Sequence, residues 1–129
     1  MKPNNPIFVL HKHFASRLHY DLRLEMDGVL KSWAVPKEPP TDSKTKRLAI
    51  AVEDHELSYA DFEGEIPKGQ YGAGKVEIWD KGTYELVGDD PNDGKKIEFR
   101  LDGKKMNGTY VLLNTNGKQW LFFRKKEKV

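Results

Sequence analysis

Apolar and polar residues alternate along most of the chain. Leu18, Tyr20, Leu22, Leu24 and Met26 are separated by polar partners, the pattern of a strand with one buried face. Asp27-Gly28 follows as a two-residue hairpin signal, and the alternation resumes from Val29 to Val35. Leu48, Ile50 and Val52 alternate again, and Val76 and Ile78, then Tyr84 and Leu86, flank a predicted turn at Asp80 to Gly82. Ile97, Phe99 and Leu101 lead into Asp102-Gly103, while Tyr110 to Leu113 and Trp120 to Phe123 flank a hairpin turn at Asn114 to Gly117. No window of about eleven residues or more carries a helical stripe. Short helical turns are expected only around Phe14 to Arg17 and Leu57 to Asp61. Many short strands joined by tight turns predict a mainly β fold, a compact antiparallel β-barrel with one or two short helices. Met1 to Pro6 reads as a flexible lead-in, residues 7–129 as a single domain, and Lys37 to Lys46, with its paired prolines, as a loop.

Alternation also sorts the chemistry. If Leu18, Tyr20, Leu22 and Leu24 face a core, then His19, Asp21, Arg23 and Glu25 share the other face. Neighbours there stand about 6.5–7 Å apart, so His19 and Asp21 can lean toward one ion, with Arg23 beside it for a phosphate or carboxylate. A second strand offers Arg47, Ala49, Ala51, Glu53 and His55 on one parity and Leu48, Ile50 and Val52 on the other. If the two polar faces meet inside an open barrel, they form a cleft. A solvated strand face is the competing reading. Against it, three of the chain's four histidines, His13, His19 and His55, fall in or beside these faces. Imidazoles with a carboxylate suit a divalent metal, and arginines suit an oxyanion. His11 shares the parity of His13 and could lie near the site, as a further ligand or as a supporting or surface histidine. His19-Tyr20-Asp21 also matches the start of the two-histidine, one-carboxylate set of non-haem iron oxygenases. That alternative needs a larger jelly roll and a more distant second histidine.

Composition narrows the classes. The chain's 129 residues suit one domain, and with no cysteine both disulfides and thiolate metal sites are excluded. A third of the residues are charged, yet the net charge is only +2, so no dense basic patch announces itself. No run approaches the roughly 18 apolar residues of a membrane span, and the N-terminus is too polar for a signal peptide. A cytoplasmic protein is expected. Gly69 to Gly74 (GQYGAG) lacks the spacing of a phosphate loop and reads as a structural turn with glycines at positive φ. Trp33, Trp79 and Trp120 read as core. Lys37, Lys44, Lys46 and Lys68 are placed on loops, where they could steer a nucleic-acid backbone.

The stretches HKHFASRLHYDLRLEMDGVLKSWAVPK, KRLAIAVEDHELSYADFEGEIPKGQYGAGKVEIWDKGTYE and GTYVLLNTNGKQWLFFRKK resemble the phosphoesterase domain of bacterial DNA ligase D. The likeness runs from about Phe8 to Lys126. It implies a β-barrel with short flanking helices that trims nucleic-acid 3′ ends during repair by end joining. The implied activities are a manganese-dependent 3′-phosphodiesterase, which removes a terminal ribonucleoside, and a 3′-phosphomonoesterase, which removes the phosphate left behind. By motif position, His13, His19 and Asp21 match the family's metal ligands. Arg23, His55 and Tyr59 match its phosphate contacts and catalytic groups, and Arg47 and Glu53 match supporting positions. Mn²⁺ is the expected cofactor, with Zn²⁺ or Co²⁺ as substitutes, one metal site and no organic cofactor. The expected partners are 3′ ends at primer–template junctions, with separate ligase and polymerase proteins as possible collaborators; a monomer is expected. The alternative is a non-enzymatic nucleic-acid-binding barrel with a structural metal.

Overall fold

The alternating segments become strands: β1 (Ile7–Phe14), β2 (Leu18–Met26), β3 (Val29–Val35), β4 (Lys46–His55), β5 (Gly64–Ile66), β6 (Gly74–Leu86), β7 (Lys96–Asp102), β8 (Asn107–Asn116) and β9 (Gln119–Arg124). One 3₁₀ turn, Leu57–Asp61, stands where a helical turn is expected. The computed structural model describes residues 5–87 and 94–126, so the expected lead-in lies outside the described residues except for Asn5 and Pro6. The strands pair antiparallel in the order β1-β2-β3-β4-β9-β8-β7-β6, and β6 returns to β1 to close an eight-stranded barrel. Closure removes the exposed edges that an open sheet would leave. β5 adds to the first half of β6, outside the ring.

The barrel interior is packed. Phe8 and Leu10 of β1, Leu22 and Leu24 of β2, Phe99 of β7, Tyr110 and Leu112 of β8 and Phe122 of β9 are all fully buried in one cluster. Each such side chain contributes about 1.5–3 kcal/mol through burial. Trp33 and Trp120 join the core edge to face, and Trp79 packs partly buried against it.

Four sequence expectations change. Asp80 to Gly82 is not a turn, because β6 runs straight through it from Gly74 to Leu86. β1 holds both halves of β6, pairing Phe8 with Gly82, Leu10 with Asp80 and His11 with Ile78, so Trp79 is an extra residue, a bulge. Gly82 is needed for close approach, since a Cβ there would lie 2.0 Å from the Asp102 carbonyl oxygen. Asp80 is a buried acceptor for the backbone N–H groups of Lys81, Lys104, Lys105 and Met106, at 2.8–3.0 Å. Phe14 to Arg17 forms no helical turn: Phe14 ends β1 and the following residues bend directly into β2. Lys46 lies in β4, not in the preceding loop.

The fourth change matters most. In β4, Ala49 faces the core, whereas Leu48 and Val52 are 45% and 37% exposed. The small residues fill the interior opposite Trp33 and Trp120, their strand neighbours through Ala51 and Ala49. The polar cleft therefore does not form inside the barrel. It forms on the outer surface, where the outward faces of β1, β2 and β3 are covered by the chain that leaves β4.

Candidate active site

The outward face of β1 and β2 carries His13, His19, Asp21 and Arg23. Antiparallel pairing sets His13 directly opposite His19 and His11 opposite Asp21. Directly opposed side chains lie within about 5.5 Å at Cβ, so one hairpin assembles the cluster. The 3₁₀ turn packs onto the same face through Ala60, which is buried with Val9 and Leu30. This anchor places Tyr59 above the cluster. Together these groups line a cleft of about 530 Å³ with Val52, Ile66 and Tyr71.

His13, His19 and Asp21 bring their ligand atoms together. His13 Nδ1 lies 3.3 Å from His19 Nε2, and Asp21 Oδ2 lies 3.7 Å and 3.4 Å from these two nitrogens. Hydrogen bonds on the far side of each ring orient them. His13 Nε2–H donates to the Gly72 carbonyl at 2.8 Å, and His19 Nδ1–H donates to the Arg17 carbonyl at 3.2 Å. In those tautomers both facing nitrogens carry lone pairs. Three acceptors thus converge with no donor among them, an arrangement that calls for a cation. The separations also fit: ligands about 2.1 Å from an ion stand about 3.0–3.4 Å apart around it. Two imidazoles and a carboxylate suit Mn²⁺, Zn²⁺ or Co²⁺ better than Ca²⁺. Burial pushes the Asp21 carboxyl up, but the His19 hydrogen bond and the nearby Arg23 charge more than offset this and hold it below its ordinary range. When His19 is instead protonated, its Nε2–H bonds Asp21, and this bond chiefly pushes its pKa up. A bound cation would displace that proton.

Arg23 stands beside the three ligands, buried and held on every side. Its Nε donates to His11 Nδ1 at 3.1 Å. Its Nη1 donates to Ser32 Oγ at 2.8 Å and to His55 Nδ1 at 3.1 Å, and Nη2 lies 3.5 Å from Asp21 Oδ2. The guanidinium lies 4.9 Å from the centroid of the Tyr59 ring. Burial lowers the Arg23 pKa, partly offset by Asp21; an arginine remains charged at neutral pH nonetheless. Burial and then the Arg23 charge push His55 down. Because Arg23 can only donate, neutral His55 accepts at Nδ1 and keeps its proton on Nε2. Burial also raises the Tyr59 phenol, keeping it an O–H donor.

His55 reaches this cleft through a bulge. β3 pairs Ser32 with Val52 but Leu30 with His55, so β4 carries one residue more than its partner between these pairs. The extra residue reverses the alternation and puts His55 on the side of Val52 rather than that of Ala49 and Ala51.

Among the site residues expected from the sequence, His13, His19, Asp21, Arg23, His55 and Tyr59 line one cleft. Arg47 and Glu53 do not line it. Arg47 Nε donates to the Glu38 carbonyl at 2.7 Å, and Glu53 presents its own carbonyl 3.2 Å from His55 Nδ1. His11 is fully buried and both its ring nitrogens are engaged, one by Arg23 and the other, as donor, by the Phe62 carbonyl at 3.1 Å. It supports Arg23 and is not among the convergent ligands. Burial, then Arg23, lowers its pKa to about 4. Sequence patterns did not reveal Ser32, whose strand position carries no special signal. They also missed why GQYGAG matters. Gly69, Gly72 and Gly74 do adopt positive φ, and the turn they make aims two carbonyls at His13. The jelly roll that an iron oxygenase would need is not formed, since the described strands close one barrel.

The model of the DNA ligase D 3′-phosphoesterase domain matches residues 11–114. The chain is 55% identical over 126 residues to the multifunctional non-homologous end joining protein LigD of Pseudomonas aeruginosa, covering 94% of this chain and 15% of that protein. It is 54% identical over 123 residues to the LigD repair protein of Mycobacterium tuberculosis, covering 94% of this chain and 16% of the relative. Against LigD of Mycolicibacterium smegmatis the identity is 49% over 133 residues, covering 97% and 18%. The chain thus spans less than a fifth of these relatives' length.

Proposed function

The chain belongs to the DNA ligase D 3′-phosphoesterase domain family, and on that premise we propose that it is a metal-dependent phosphoesterase that heals nucleic-acid 3′ ends. The observation that carries this reading is the convergence of three lone-pair ligands, His13, His19 and Asp21, beside a clamped arginine in one cleft. Three protein ligands leave positions open for substrate, whereas a structural site normally closes with four. Mn²⁺ is the proposed cofactor, held by those three residues; it supplies Lewis-acid polarisation of a phosphate oxygen when bound.

The surrounding side chains have distinct tasks. Arg23 is fixed before substrate arrives, so its charge stabilises the phosphate without reorganisation. His55 offers Nε2–H and Tyr59 its phenolic O–H as hydrogen-bond donors to phosphate or leaving oxygens. Arg47 and Glu53 act from outside the cleft, Arg47 by bracing the loop at Glu38 and Glu53 through the backbone beside His55. In the diesterase step a water oxygen bonds to phosphorus and the bond to the terminal nucleoside's 5′ oxygen breaks. One proton leaves the water and one reaches the nucleoside. The monoesterase step repeats this at the 3′ oxygen, leaving a ligatable 3′-OH and free phosphate. The setting would be end-joining repair in the cytoplasm, by a monomer working with a ligase and a polymerase.

A labelled primer–template ending in one 3′-ribonucleotide tests the reading. With Mn²⁺ the terminal ribonucleoside should be lost, then the 3′-phosphate; EDTA or His19→Ala should abolish both. Metal-loaded, folded protein that releases neither product would refute it.

A further inference from the structure

The cleft has a rim that the chemistry above does not use. On one side is the turn Pro67 to Gly74, closed by Gln70 N–H to the Pro67 carbonyl and Ala73 N–H to the Gln70 carbonyl, each at 3.1 Å. Its tip presents Tyr71, 84% exposed. The turn is nevertheless fixed. Its Gly72 carbonyl is held by His13 at 2.8 Å, and Gly74 packs so closely on β1 that a Cβ would lie 2.2 Å from the Phe14 carbonyl oxygen. An aromatic ring is therefore kept in water, on a backbone tied to a metal-ligand histidine. Phe14 ends β1 next to Ala15 and Ser16, which line the cleft, and lies on the strand face opposite His13. Lys12 and Lys75 place their ammonium groups 5.3 Å and 5.9 Å from its ring centroid. Lys75 is also paired with Glu77 at 3.1 Å, while Lys12 additionally lies 6.0 Å from the Tyr20 ring.

We propose that this end of the cleft binds the strand: Tyr71, on the rim, stacks on the nucleobase at the 3′ terminus, and Lys12 and Lys75, gathered over Phe14 just beyond the hairpin tip, take phosphates of the same strand. The proposal rests on the phosphoesterase reading, because a phosphate seated against Arg23 leaves its nucleoside at the cleft mouth. Every base offers a π face, so such a platform tolerates any sequence. It requires the terminal base to leave its duplex stack, which favours frayed or single-stranded ends. Cations held over an aromatic ring keep their charge and are positioned for a phosphate backbone.

The test uses an oligonucleotide whose 3′-terminal residue is a 2-aminopurine ribonucleotide, titrated in EDTA against the full chain and three variants. Wild type and Tyr71→Phe should quench the fluorescence by stacking. Tyr71→Ala should lose the quenching and bind about tenfold more weakly. Lys12→Ala/Lys75→Ala should keep the quenching but reduce the slope of log K against log salt by about 1.4, two single-strand phosphate contacts. No quenching by wild type, quenching by Tyr71→Ala equal to wild type, or an unchanged salt slope would overturn the proposal. Cleavage of the same oligonucleotide with Mn²⁺ separates the two readings. Quenching through Tyr71 without any cleavage would leave the rim standing and sink the esterase. Cleavage by Tyr71→Ala with an unchanged KM would do the reverse.

Discussion

Arg23 uses its planar fork in full, with Nε on His11, Nη1 on Ser32 and His55, and Nη2 facing Asp21. Lysine has one nitrogen and no fork. Arg23→Lys should therefore lower turnover about 100-fold or more while Mn²⁺ affinity stays near wild type; steady-state kinetics beside a metal titration would show the split. His11 makes a prediction about pH. Burial and Arg23 hold its pKa at about 4, whereas an unfolded chain's imidazole titrates near 6.5. Between those values the unfolded state binds more protons, so stability is fully present above pH ~6.5 and is lost as pH falls toward ~4. Gln can accept from Arg23 and donate to Phe62 without titrating. Urea unfolding in EDTA should show wild type losing about 2 kcal/mol more than His11→Gln between pH 7.5 and pH 5. Equal losses would contradict the assignment.

At the scale of elements, the hairpin that brings His13, His19 and Asp21 together was legible in the sequence and the rest of the cleft only in part. The β1–β2 pair is regular, so alternation correctly put His19, Asp21 and Arg23 on one face. β4 and β6 are bulged, and a single extra residue reverses every side chain beyond it. Counting parity therefore put His55 on the face of Ala49 and placed the cleft inside the barrel. Gly82 was misread as a turn glycine for a similar reason. Close backbone approach and a turn both demand glycine, and only tertiary packing distinguishes them. Inserting one alanine after Asp54 should reverse the alternation once more and swing His55 away from the cleft. The nearby Asp54–Lys31 ion pair is half-exposed and contributes little. Activity should fall as far as in His55→Ala, with a stability cost of about 1–2 kcal/mol, read by cleavage assay and chemical denaturation.

At the scale of the whole molecule, the barrel separates support from chemistry. Its interior is filled by aromatic and aliphatic side chains, and the site is laid on the outer wall. Asp80 fastens the Lys104 to Met106 connection to the β6 bulge, far in sequence from any ligand. Asp80→Ala would strand the buried Met106 N–H and three part-buried N–H groups and should cost about 2–4 kcal/mol in denaturant unfolding; a loss below about 1 kcal/mol would mean that other acceptors replace it. The mainly β class followed from period two alone, whereas closure depends on β1 pairing with both β2 and β6, which local patterns do not encode. The most direct measurement is a Mn²⁺ titration followed by electron paramagnetic resonance, with cleavage of a 3′-ribonucleotide end read in the same samples. Wild type should bind one ion and gain activity in proportion to the bound ion, and Asp21→Asn should lose both. Cleavage independent of bound Mn²⁺, or full binding by Asp21→Asn, would contradict the assignment of His13, His19 and Asp21 as the metal centre.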